Sequence, residues 1–168
     1  MTPADTLQRL ADLADILDVI HTYCDLTDRS TYEDGATLDA LVDVFTPDAT
    51  VDYGFGSIYP TAQAWIDQWK EMWRRLGRVH HVYGNFLIAV DGDRALATYH
   101  ALARHNWDNG DIWQAGAVFE TGFVRTSAGW RIASIDLHVR YVDDPNERMQ
   151  RMAPQLTQSF VEHERPKT

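Results

Sequence analysis

The chain has 168 residues, 25 acidic and 15 basic, with a formal charge of −10. That balance excludes the basic footprint that nucleic acid or an anionic membrane surface demands, and leaves a neutral or cationic small molecule as the easier partner. One cysteine, Cys24, excludes an internal disulfide; its place in an apolar helical stripe suits a small hydrophobe rather than a nucleophile.

The opening residues carry charges every few positions, with no basic start before an apolar run and no stretch long enough to span a bilayer, so the expected location is the cytoplasm. Thr2-Pro3 is a helix start signal, and Leu7, Leu10, Leu13, Leu17, Ile20 and Cys24 recur at helical spacing, which predicts an amphipathic helix over 6–27. The next position on that stripe is Asp28, a carboxylate where the pattern reserves a core residue. After the turn formers of 28–37, residues 38–45 read as a second short helix ended by Thr46-Pro47-Asp48, and 49–56 as a short strand. Pro60 and Gly77 bracket a third helix with Trp65, Trp69, Met72, Trp73 and Leu76 on one side.

Four strand-like runs follow at 78–90, 94–107, 111–126 and 130–142, joined by "DGD", "DNGD" and "SAG", which suit hairpin turns. Helices followed by a meander predict one α+β domain over 1–168, with its core at about 6–142. Its sheet is expected to be a strongly curved, cone-shaped, mixed or antiparallel one covered by N-terminal helices. Residues 143–168 read as a last helix or an arm.

Two carboxylate and histidine features carry possible chemistry. Removed from water or paired with a cation, Asp28 can be set up for acid–base work; it can equally be a helix-end acceptor for backbone N–H groups. Asp25 lies at the edge of the stripe and is expected to be solvated. In "HHVYGN", residues 80–85, adjacent strand residues point to opposite faces, so one of His80 and His81 looks inward. An inward histidine can serve as a general base, with a carboxylate holding its tautomer; two polar residues at a sheet rim are the other reading. Asp136, His138 and Arg140 share one phase of the last strand and read as a polar row on the surface or at a subunit contact.

No metal-ligand spacing, phosphate-cradling loop, nucleophile elbow or dinucleotide fingerprint occurs, so no cofactor or metal is expected. Tyr23, Tyr53, Phe55, Trp69, Tyr83 and Trp107 are among the aromatic residues available to line an apolar pocket. Tyr53 is the best donor, because it follows the short strand where the cone would open.

The order of "IHTYCDLTDRS", "LVDVFTPDATVDY", "HHVYGNFLIAVDGDRALATYHA" and "GWRIASIDLHVRY" resembles the SnoaL-like branch of the nuclear-transport-factor-2-like superfamily, over about 10–141. That branch includes scytalone dehydratase, bile acid 7α-dehydratase and a hexachlorocyclohexane dehydrochlorinase. The resemblance implies an Asp–His catalytic dyad, Asp28 with His81, which stands four residues before Asn85; His80 stays as the alternative. It further implies Tyr53 and His105 as groups that polarise a substrate oxygen. "STYEDGAT", residues 30–37, departs from shorter relatives.

The expected function is a cofactor-independent lyase or isomerase of the dehydratase kind, acting on a hydrophobic cyclic small molecule. A polyketide-type cyclase or epoxide hydrolase would need Asp52 or Asp136 to face inward. A non-catalytic binding or assembly protein would use the same cone without the dyad. The open sheet face predicts a homo-oligomer, a dimer first and a trimer second.

Overall fold

A computed structural model of the chain describes residues 2–31, 33, 36–54, 58–73, 77–107 and 110–147. Phe55 and residues 148–168 of the expected C-terminal helix or arm lie outside them.

Helix α1 spans Pro3–Arg29, starting three residues earlier than the periodicity predicts. The reason is a reciprocal cap: Thr2 Oγ1 accepts the Asp5 N–H at 3.1 Å, and Asp5 Oδ2 accepts the Thr2 N–H at 2.7 Å. The buried line, Asp12, Ile16, Ile20, Tyr23 and Thr27, shares only Ile20 with the predicted stripe. Leu7 and Leu10 are 68% and 58% exposed. Residues 2–11 are all exposed, and burial begins only at Asp12. Asp12 opens the buried line because it has partners there: Arg125 Nη1 at 2.7 Å, Gln8 Nε2 at 3.0 Å and Trp130 Nε1 at 3.3 Å.

A 3-10 helix, Ala36–Val44, buries Leu38, Leu41 and Val44, and leads directly into β1, Phe45–Asp52. Thr46-Pro47-Asp48 therefore lies inside the strand instead of ending a helix. Pro47 is tolerated because the β1 register is interrupted between Phe45 and Thr50, where a missing N–H costs no ladder bond. β2 (Ile58–Tyr59) was not predicted from the pattern; α2 (Ala62–Trp73) falls within the expected third helix.

The long strands β3 (Val79–Asp91), β4 (Arg94–Asn106), β5 (Ile112–Thr126) and β6 (Gly129–Asp143) match the four predicted runs to within about a residue. The sheet order is β2-β1-β6-β5-β4-β3, with β1 parallel to β6 and every other pair antiparallel. Register breaks at Gly84/Leu87, Gly116/Ala117 and Gly122/Phe123 allow this α+β sheet to curve. Tyr23, Trp65, Ile66, Tyr99, Phe123 and Trp130 are buried between the sheet and the helices, each side chain of this kind contributing ~1.5–3 kcal/mol. Among the described residues no helix is long and apolar enough to cross a membrane.

Candidate active site

β3 is an edge strand, and its exposed N–H groups need partners other than a neighbouring strand. The C-terminal turn of α1 supplies them. Asp28 accepts the His81 N–H on both carboxylate oxygens, at 3.2 and 3.0 Å, and Thr31 Oγ1 accepts the Val79 N–H at 3.4 Å while donating to the Asp28 carbonyl at 2.9 Å. These bonds dock the helix end on the strand.

The same carboxylate meets the His81 ring, Nδ1 to Oδ1 at 2.6 Å, with both side chains largely buried at 14% and 18% exposure. Asp28 is thus both the backbone acceptor and the imidazole partner that the sequence held as alternatives. Asp25, one turn earlier, is exposed and paired with Arg29 at 3.2 Å.

Strand register builds the surroundings of His81. Along the inner face of β4 and β5 run the cross-strand pairs Tyr99 with Phe119, Ala101 with Ala117, Ala103 with Ala115, and His105 with Trp113. His81 and Tyr83 of β3 are the Cα partners of Ala103 and Ala101. The four alanines form a low floor between two aromatic walls, with His81 at its side. Tyr83 and His105 contact the His81 ring at centroid distances of 5.9 and 5.8 Å.

Burial pushes His105 well below the ordinary histidine range, and the nearby His81 adds to that, so it sits there as a neutral imidazole. Burial also pushes the Tyr53 and Tyr83 phenols well above 10, which keeps both as O–H groups. The Cys24 thiol is pushed up to about 12, by burial first and then by Asp28 and Asp25, and is inert as a nucleophile.

Tyr53 stacks on Trp65 and packs against Trp69 and Phe119, and its hydroxyl is hydrogen-bonded to that of Tyr23. Phe119 and Tyr83, in ring contact at 5.4 Å, connect this group to the histidine side. Gly54 allows the turn after Tyr53: its φ is +70°, its N–H is accepted by Asp52 Oδ1, and a Cβ there would stand 2.6 Å from the Leu137 carbonyl oxygen.

The structure thus gathers Asp28, His81, His105 and Tyr83, and beside them Tyr23, Tyr53 and Trp69. Other sequence candidates fall elsewhere. His80 is 73% exposed on the outer side of β3. Asn85 is exposed with a left-handed φ of 57°, because the bulge between Gly84 and Leu87 sets two residues against one and turns it outward while Phe86 points in. Trp107 is buried at the β4–β5 connection, its backbone N–H donating to the Asp111 carbonyl. Asp136, His138 and Arg140 form an exposed row, as their phase predicts.

Trp113 and the alanine floor were missed. The hairpin signal at 108–111 would have placed Trp113 opposite His105, had strand phase been carried across the turn.

A curved six-stranded sheet closed by N-terminal helices defines the nuclear-transport-factor-2-like fold. Within it, the model of the SnoaL-like domain matches residues 8–136, and the chain belongs to that family. Uncharacterized proteins of Mycobacterium tuberculosis and Mycobacterium bovis are 32% identical over 130 residues, covering 73% of this chain and 86% of theirs.

Among solved structures, a Kribbella flavida protein superposes with a TM-score of 0.72 at 22% identity, covering 85% of this chain and 99% of its own. A candidate scytalone dehydratase from Novosphingobium aromaticivorans gives 0.72 at 16% identity, with 83% and 91% covered. The hexachlorocyclohexane dehydrochlorinase LinA-type3 from Novosphingobium barchaimii gives 0.69 at 18%, with 82% and 92% covered. At these identities the likeness is one of fold.

Proposed function

We propose that the protein is a cofactor-independent lyase or isomerase in which His81, held by Asp28, removes a proton next to a carbonyl or a leaving group of a hydrophobic cyclic molecule. The observation that carries this reading is the 2.6 Å contact between His81 Nδ1 and Asp28 Oδ1. With Nδ1 engaged by the carboxylate, Nε2 is the basic atom left for substrate, and the carboxylate stabilises the imidazolium that forms. A ring lying on the alanine floor would have His81 at its edge, and neutral His105 with the protonated phenols of Tyr53 and Tyr83 as donors to a developing oxyanion or a departing group. The proton taken by His81 returns to the leaving oxygen in a dehydration, or to another carbon in an isomerisation. Dehydratase and dehydrochlorinase neighbours support elimination chemistry as the class.

The cyclase or epoxide-hydrolase reading has less support: Asp136 is exposed and Asp52 is engaged by the Gly54 N–H. The outer sheet face, where Val82, Leu102 and Tyr141 are each more than half exposed, supports a homodimer through that face.

The test is turnover on a panel of cyclic β-hydroxy ketones and halogenated cycloalkanes. Asp28→Asn and His81→Ala should each lower the rate by about 10²–10⁴-fold while circular dichroism is unchanged. Undiminished turnover in both variants would sink the reading, and ligand binding without turnover, indifferent to Asp28→Asn, would favour a binding protein.

A further inference from the structure

Neighbouring side chains of a strand point to opposite faces, yet His80 and His81 both reach the same carboxylate. The edge position of β3 explains how. Asp28 caps the outward N–H of His81, so it stands beside the strand rather than over one face, within reach of both. Oδ1 meets the inner ring, His81 Nδ1, at 2.6 Å; Oδ2 meets the outer ring, His80 Nδ1, at 3.4 Å. The inner ring is 14% exposed and the outer one 73%.

Resting on the dyad reading above, we propose that His80 is a positioning residue for the reaction: it holds Asp28 from the solvent side and, through that carboxylate, sets how strongly His81 binds its proton. The physics is a division of one negative charge between two imidazoles. When the outer ring is uncharged, Asp28 supports a proton on His81 alone. When the outer ring is charged, it takes part of that support and repels an inner imidazolium, so His81 becomes a weaker base.

The surrounding groups leave this coupling between the two histidines. On β4, His105 faces His81 as a neutral ring, and Arg104, the Cα partner of His80, adds a constant positive charge, as does Arg78 two residues before it. On β3, Tyr83 stays protonated. On α1, Cys24 stays a thiol, while Asp25 and Arg29 form an exposed pair, with Arg29 extended to Glu33. His80 and His81 belong to the residue type that changes charge between pH 5 and 8, and His105, of the same type, is held neutral by burial.

The test needs no substrate. The His81 ring is followed by NMR through a pH titration in the wild-type chain and in His80→Gln, His80→Lys and Asp28→Asn. The midpoint of His81 should rise by about half a pH unit in His80→Gln and fall by a similar amount in His80→Lys, which carries a permanent outer cation. In a turnover assay the acid limb of kcat/KM should move the same way. An identical His81 midpoint in the wild type and both His80 variants overturns the proposal, and the dyad stands if Asp28→Asn still lowers that midpoint. A midpoint that does not respond to Asp28→Asn overturns the dyad itself, whatever His80 does.

Discussion

The imidazole of His105 lies flat on the indole of Trp113, ring centroids 3.7 Å apart and planes within 4°. Two cross-strand partners at the end of one hairpin thereby hold a buried histidine edge-on to His81. Trp113→Leu removes the stacking surface and should lower kcat about 10-fold with little change in KM, because the loss is one of orientation. Trp113→Phe, which keeps a flat ring, should recover most of it. Steady-state kinetics on the two variants, with thermal unfolding as the control for folding, checks this.

Burial of His105 makes stability sensitive to acid. Its folded-state pKa lies below the ordinary value of about 6.5, so beneath that pH the unfolded chain takes up a proton that the folded chain does not. Stability is therefore full above about pH 6.5 and falls as the pH drops, with a slope of up to about 1.4 kcal/mol per pH unit from this group. Denaturant unfolding at pH 7 and pH 5 should show a smaller acid loss in His105→Phe than in the wild type.

Asp12 acts in a lower window. Its carboxyl is lowered to about 2, chiefly by the hydrogen-bonded Arg125 guanidinium and against the opposing effect of burial. A depressed acid contributes stability above its unfolded value near 4, and that contribution is lost as the pH falls from about 4 through about 2. Asp12→Ala also strips Trp130, Gln8 and Arg125 of an acceptor and should cost about 2–3 kcal/mol at pH 7, measured by chemical denaturation. Turnover per folded molecule should be unaffected, since the cluster lies at the far end of the inner face from His81.

The alanine floor should act as a size gate. Ala117 is 9% exposed and paired with Ala101. Ala117→Leu adds three carbons above the floor and should raise KM for the best cyclic substrate at least 10-fold, while the His81 titration stays as in the wild type. An unchanged KM would place the substrate elsewhere.

The four long strands were readable to within about a residue, because period-two alternation and turn residues act locally. The solvated row of Asp136, His138 and Arg140 followed from the same phase. Helix α1 was readable as a helix but not in its buried face, and the reason is physical. Leucines recur along it at helical spacing, but residues 2–11 are exposed, because which residues meet the sheet depends on where the two pack. Pro47 looked like a stop, and only the break in the β1 register made it acceptable inside a strand. Asn85 kept its spacing from His81 yet faces outward, since one unpaired residue at 84–87 reverses the alternation.

What the sequence determined by itself was therefore the set of elements, their order, and the presence of an out-of-place carboxylate, an adjacent histidine pair and many aromatic residues. The tertiary structure decided which of these meet. Asp28 and His81 are 53 positions apart, and they join because α1 ends beside an edge strand whose free N–H draws the carboxylate to it. That edge also lets Asp28 touch His80 on the opposite face, a contact that alternation along a strand would exclude. Backbone periodicity sets which way a side chain points, whereas the packing of distant segments sets what it finds there.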